Sequence, residues 1–482
     1  MSDHDMPRLL MVVPNWDELE KAYATGKLAA VEGAFRDRVL SDRTLAPDER
    51  AQAADFQVAY LALAAPAGMG IAPDKLPPMV VCGIAMTGGE NAALALSANV
   101  RQIYGSAASI GADLRVSAAA AVEIDRFWTH WCPGEVPYGL LGKRAAALRT
   151  MRAGPQHLAG AGLPGAKDAL GRVNLIAIDT GLPPALIQPL GTVRGWEVAM
   201  MDGGGITIRK PGDPLTGHGA MVAGNALSLA NDIKVLDCPA IPDGIMGLDA
   251  FLGWIVAAVL GVKALVLERQ AQDAAASLPK RSWVVCNAWG VFDPSRETSV
   301  LRYSDNPDHP LTAQFRELSQ LGVDIVFAAG NCGQFCPNGR CSPDFTGPGR
   351  SINGANAMPE ALTVGAVRND GLWLGYSGQG PGITGLAHDK PDLCAPSQFE
   401  NDDDAGPNTG TSAACGLASG VVALLRSRWP LEVVDPAGLR AILRDTARQP
   451  GGPKGWQERT GHGVLDLAAA AAKLKTLPPP VG

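Results

Sequence analysis

Four short apolar runs constrain this chain more than any other feature: NLIAID from residue 174, SWVVCNAWG from 282, VDIVFAAGN from 323 and ALTVGAV from 361. None alternates apolar with polar residues, as strands buried on both faces of a parallel sheet do not. Gly, Asn or Asp punctuates their ends, and helical stretches at 248–260, 311–321 and 413–428 fall among them. Strand and helix in succession predict an α/β fold, an open and mainly parallel sheet with helices on both faces. In that architecture the functional residues gather beyond the C-terminal ends of the strands.

The first 150 residues read differently, as a separate N-terminal α/β domain. PRLLMVV and PPMVVCGIAM are short buried strands, ADFQVAYLALAA is a helix, and no repeat links the segments. Residues 151–172, dense in Gly and Pro, are the connection; residues 173–475 are the second domain and 476–482 a tail. Apolar residues make up 46% of the 482 and charged residues 18%, enough for a large core, and the net charge of −7 argues against a nucleic-acid or anionic-membrane partner. AFLGWIVAAVLGVKALVL, residues 250–267, approaches membrane-span length but contains Lys263 and meets ERQ at once, so it reads as a buried helix running into a strand. The N-terminus has acids before its first base and too short an apolar run for an export signal, which gives the expectation of a cytoplasmic protein with no membrane contact. Nine cysteines in that compartment are free thiols by default. For Cys332, Cys336 and Cys341, close together in CGQFCPNGRC, a disulfide and a metal site are the two alternatives, although three cysteines without a nearby His fall one ligand short of a closed zinc site.

Four polar residues interrupt the strand and helix ends. Asp179 closes VNLIAI, with Gly181 allowing a sharp exit; His218 stands between two glycines at the head of a small-residue helix; Asn331 closes DIVFAAGN; Ser412 lies in NTGTSAACG before a long apolar run. Each alone has an ordinary explanation as a turn former or cap. All four on one edge of one sheet are harder to dismiss.

Here the chain resembles the subtilisin-like serine proteases, the subtilases. The likeness rests on IAIDTG, HGAMVAG, VFAAGN and GTSAA in that order, with fainter echoes in IKVLD, CNAWG, KPDLCAPS and TGHGVLD, and spans roughly residues 170–470. It implies a subtilisin-like sheet and a serine endopeptidase: Ser412 as nucleophile, His218 as general base and then acid, Asp179 as its orienter, and the Asn331 amide with the Ser412 N–H around the oxyanion. A hydroxyl is a poor nucleophile until a base takes its proton, and imidazole suits that task near pH 7. The resemblance also makes Asn287, Ala288, Trp289 and Gly290 the substrate-binding strand, with Trp289 narrowing the pocket. It implies a protein or peptide substrate; the lack of an export signal, Trp289 and the large extension add the expectation of restricted intracellular processing, and with no spaced carboxylate motif for calcium neither a metal nor a cofactor is expected. The chain departs from the family pattern at Ala220 and Met221 after the HG pair, and at Cys415, where Pro is usual. The same triad would also serve a peptide ligase or macrocyclase, and a catalytically silent binding module is the third reading. The first 150 residues resemble nothing nameable; they are a cleaved chaperone, a permanent part, or a surface for a partner protein. The acidic run Asp402, Asp403 and Asp404 reads as a solvated loop.

Overall fold

The computed structural model describes residues 6–66, 75–114, 139–163, 172–187, 195–230, 233–241, 251–297, 300–401, 407–450 and 454–477. In chain order its principal strands are β1 (Arg8–Pro14), β2 (Phe56–Pro66), β3 (Met79–Met86), β4 (Ser109–Ala112), β5 (Val173–Ile178), β6 (Trp196–Asp202), β7 (Gly205–Arg209), β8 (Lys234–Cys238), β9 (Ser282–Asn287), β10 (Val323–Ala328), β11 (Ala361–Val367) and β12 (Leu393–Pro396). The four apolar runs are β5, β9, β10 and β11. They join β8 and β12 in one sheet, ordered β12-β11-β10-β9-β5-β8, in which every pairing is parallel. Both faces are covered, which is why these strands carry no polar alternation. The acidic run at 402–404 lies outside the described residues.

The second sheet, ordered β4-β1-β3-β2-β6-β7, is antiparallel throughout. Residues of alternate parity on β1 separate cleanly: Leu9, Met11 and Val13 face the helices Leu28–Ser41 and Gly89–Tyr104, while Leu10 and Val12 face the parallel sheet's side of the molecule. ADFQVAYLALAA forms β2, a central strand, and not a helix. Both its faces are buried, so the period-2 signal is lost, and its alanines then mimic helix composition, whereas pairing with β3 and β6 decides the outcome.

Between the two sheets lies the 25-residue helix Phe251–Ala275. Among the described residues it alone is long and apolar enough to cross a membrane, and 72% of its most apolar window is buried inside the protein. The expected turn into a strand at ALVL does not occur; the helix simply continues. Its glycines let it sit low on the antiparallel sheet: a Cβ on Gly253 would fall 2.1 Å from the Tyr60 hydroxyl, and one on Gly261 3.0 Å from the Trp196 ring. Burial of large side chains such as Trp196 stabilises by about 1.5–3 kcal/mol each.

The connection expected at 151–172 is crossed in both directions. β6 and β7, which follow it, complete the N-terminal sheet, while Ala147 before it and Met151 and Ala153 in its first residues lie in the core beneath the parallel sheet. That core also holds the helices His218–Leu227 and Gly410–Arg428, which together form the far face of the parallel sheet.

Candidate active site

Asp179 follows directly on β5, and its backbone N–H donates to the Cys238 carbonyl at the tip of neighbouring β8. The chain then turns sharply: Gly181 has φ +105°, and a Cβ there would meet the Asp213 carbonyl at 2.8 Å. Asp179 Oδ1 accepts from the Thr180 N–H and lies 2.7 Å from His218 Nδ1, with both side chains more than nine-tenths buried. A bond from this carboxylate to Nδ1 fixes the tautomer that leaves Nε2 as the basic nitrogen.

His218 opens its helix, and two threonines steady that helix where the family's usual residues after HG are absent. The His218 N–H donates to Thr216 Oγ1 at 3.2 Å, and the Thr180 and Thr216 hydroxyls are 3.0 Å apart. Gly219 explains the HG pair. A Cβ there would stand 2.5 Å from the Gly181 carbonyl and 3.3 Å from Asp179 Oδ1, so only glycine lets the helix rest on the Asp179 turn.

The His218 and Ser412 helices run parallel and almost touch. A Cβ on Gly416 would meet the Val222 carbonyl at 2.4 Å, and one on Gly420 the Ala226 carbonyl at 2.5 Å. Both contacts have the same sequence offset. One turn earlier, that offset sets Ser412 opposite His218, so close packing of small residues is what aligns the two. The Ser412 hydroxyl donates to the Ala288 carbonyl at 3.2 Å. It therefore rests against the exit of β9.

Asn331 leaves β10 by way of Gly330, whose φ is +85°. Its Oδ1 accepts from both the N–H and the hydroxyl of Thr411, each at 2.9 Å. That fixes the amide's orientation and leaves Nδ2 as its donor toward the cleft. In the first turn of the Ser412 helix, Gly410 N–H donates to the Tyr376 hydroxyl and Thr411 N–H to Asn331. The next amide, Ser412 N–H, has no acceptor among the described residues. Through Thr411, Asn331 is thus held against the start of a 19-residue helix whose positive end favours negative charge.

Ala288 and Gly290 stand at the exit of β9 beside this point, but two neighbours do not face it. The Asn287 amide donates inward to the Val285 and Val326 carbonyls. Trp289 is a correction to expectation: its ring packs edge-on against Phe251 and Phe327, with Nε1 donating to Asn287 Oδ1, so it fills the core between the sheets and does not narrow the cleft. An indole this large beside three phenylalanines is placed by burial, whichever way the strand's pattern is read.

The cysteines also separate. Cys332 and Cys341 form a disulfide that closes the loop immediately after Asn331, in place of the idle thiols expected; Cys336 is exposed and free. Cys415 is buried 3.8 Å from Cys286 Sγ, and burial pushes its thiol well up, so it packs as a small hydrophobe. Among the described residues no cluster of His, Cys, Asp and Glu could hold a metal.

Three supporting residues escaped the sequence reading. Thr411 and Tyr376 hold Asn331 and the helix start, and neither carried a local signal. Asp237 did: it ends IKVLD on β8 as Asp179 ends β5. Its Oδ2 accepts from Leu182 N–H and Gly212 N–H, tying the segment after Asp179 to the one before His218. Burial, with Asp179 nearby, pushes this carboxyl up to about 7.

A sequence model described as the subtilase family matches residues 205–463, a span that contains His218, Asn331 and Ser412 but not Asp179. The chain is 31% identical over 190 residues to Mycosin-1 of Mycolicibacterium smegmatis, covering 33% of this chain and 40% of that protein. It is 30% identical over 194 residues to Mycosin-1 of Mycobacterium tuberculosis, covering 33% and 41%. The match thus spans about 40% of the length of these curated relatives. A crystal structure of MycP1 from the ESX-1 type VII secretion system is also similar, at 22% identity and a TM-score of 0.44, over 73% of this chain and 91% of that one.

Proposed function

The chain belongs to the subtilase family, and from that premise we propose that it is a serine endopeptidase working through Asp179, His218 and Ser412. The observation that carries the reading is the 2.7 Å bond from Asp179 to His218 on a helix whose packing register sets that histidine opposite Ser412. In the proposed reaction Ser412 Oγ attacks the scissile carbonyl as His218 Nε2 takes its proton. The carbonyl oxygen, now anionic, is held by Asn331 Nδ2 and Ser412 N–H. His218 then passes the proton to the leaving amine, and water, activated by the same imidazole, releases the acyl group.

Labelling by a fluorophosphonate probe tests this. Wild type should react, and Ser412→Ala and His218→Ala should not. A folded wild type that stays unlabelled would point to a silent binding module instead. Mass spectrometry of products from a peptide library separates hydrolysis from ligation or macrocyclisation.

Restricted processing remains part of the proposal, although Trp289 no longer supports it; broad cleavage of a peptide library with little side-chain preference would refute it. Localisation is also a proposal. The Cys332–Cys341 disulfide favours an oxidising compartment over the cytoplasm first expected, and cell fractionation with thiol labelling decides between them. The N-terminal segment is proposed as a permanent part of the enzyme, because β6 and β7 complete its sheet and the helix Phe251–Ala275 shares its core. Equal intact masses of wild type and Ser412→Ala after incubation are expected; a shorter wild type would mean self-cleavage.

A further inference from the structure

We infer that Phe335, Trp373 and Arg459 form an exosite outside the cleft, which takes an acidic residue of the substrate next to a large apolar one. It rests on the endopeptidase reading. Arg459 joins the two rings. Its guanidinium lies 5.5 Å from the centre of the Phe335 ring and 5.0 Å from that of Trp373, and the rings meet edge to face at 6.3 Å. Three segments distant in the chain build this one surface: a loop past β10, a turn past β11 and the hairpin at 457–461.

Exposure and charge mark it as a surface that takes a partner group. Phe335 is 48% exposed, and it is backed by a second aromatic ring and a cation rather than scattered singly. Arg459 is exposed too, and among the described residues no carboxylate pairs with it, the exposed Glu458 next to it included. A guanidinium stacked on rings uses none of its N–H groups there, so its edge is left to grip a carboxylate with two hydrogen bonds. The open face of Phe335 then covers an apolar side chain next to that carboxylate, whereas a basic residue is repelled. Arg and Trp are also the side chains that carry most binding energy where proteins meet.

Position makes the occupant the substrate. Phe335 is four residues past Asn331, so at most about 14 Å of extended chain separates them. Two backbone bonds fix the loop between: Gly333 N–H donates to the Tyr376 carbonyl at 2.7 Å, and Phe335 N–H to the Gly375 carbonyl at 2.9 Å. Tyr376 in turn holds the start of the Ser412 helix through its hydroxyl. The patch is therefore built on the segments that hold Asn331 and Ser412. At roughly 3.3–3.6 Å per residue, a chain bound across the cleft reaches it about four to six residues from the cut.

The test uses the full chain and one cleavable peptide core, with an Asp-Leu pair walked outward from the cut on either side. At one placement, about four to six residues away, the pair should lower KM about tenfold with kcat little changed, and a Lys-Leu pair there should not. Arg459→Glu should reverse the choice in favour of Lys-Leu while Ser412 still reacts with a fluorophosphonate at the wild-type rate. Phe335→Ala should lose the benefit of leucine and keep that of aspartate. Fluorescence anisotropy with Ser412→Ala should show the same tenfold as affinity, without cleavage. If no placement lowers KM, if Arg459→Glu still prefers aspartate, or if kcat moves and KM does not, the exosite is refuted and the endopeptidase reading stands. An Asp-Leu peptide that binds Ser412→Ala without competition from the cleavable core makes the patch a site for a separate partner, and refutes its role toward substrate. A folded wild type that neither labels nor cleaves refutes the endopeptidase reading, and the exosite with it.

Discussion

Replacing Gly416 by alanine tests the alignment of the two helices directly. A Cβ at that position stands 2.4 Å from the Val222 carbonyl oxygen and 3.1 Å from Asn225 Cβ. Ordinary contact begins near 3.4 Å, so the helices must part by about 1 Å at a point one turn from both Ser412 and His218. Neither neighbour can yield cheaply, because one is helix backbone and the other is a β-carbon. A displacement of about 1 Å between reacting groups costs on the order of a hundredfold in rate, or about 2.7 kcal/mol of transition-state stabilisation. Overpacking should also lower stability by about 1–3 kcal/mol. The assay is the second-order rate of inactivation by a fluorophosphonate, which reports Ser412 reactivity without knowledge of the substrate, alongside a thermal melt to count folded protein. Gly420→Ala meets the Ala226 backbone at a similar distance but two turns from Ser412, so it should lose comparable stability and less reactivity. If folded Gly416→Ala reacts at the wild-type rate, the shared helix register is not what sets His218 against Ser412.

Asn331→Asp keeps the acceptor for Thr411 but replaces the amide donor with a negative charge beside the oxyanion, so kcat should fall by at least about 10²–10³-fold with KM little changed; a folded variant with near wild-type kcat would remove Asn331 from oxyanion binding. Reducing the Cys332–Cys341 bridge, which closes a short loop, should cost about 2–3 kcal/mol of stability by melting and slow turnover by loosening the segment after Asn331. Stability should also depend on pH. Burial raises Asp113, Asp237 and Glu297 from 3.8, 3.8 and 4.5 to about 7 each, so the stability of their protonated forms is full below about pH 4 and is lost as pH rises through 7. His309 opposes this: burial lowers it from 6.5 to about 4, so its contribution is lost as pH falls from 6.5 toward 4. With three groups against one, melting temperature should fall between about pH 4 and 7 and level off above, and Asp237→Asn should flatten the slope; a rise over that range refutes the assignment.

Much of this was legible in the residues. Asp179 and Asn331 stand beyond β5 and β10 because a buried parallel strand must end in a turn, and turn residues at its C-terminal edge are visible in sequence. His218 and Ser412 each open a helix of small residues, which the run of Gly and Ala already announced. Their spacing carries the parallel sheet and the four candidate residues, since strand, turn and helix start are local matters. What the chain does with its faces is not local. ADFQVAYLALAA reads as a helix, and only its neighbours β3 and β6 make it β2. Trp289 sits in the segment that should bind substrate, yet its side chain is in the core, because the pocket beside Phe251 and Phe327 removes more apolar surface from water than the cleft would. Thr411's hold on Asn331 and the Asn356 amide's hold on the Trp289 and Ala328 carbonyls join segments far apart in the chain. Sequence alone determined which residues stand at the strand ends; tertiary packing decided which of them meet, because pairing and burial are settled by contacts that no local pattern encodes.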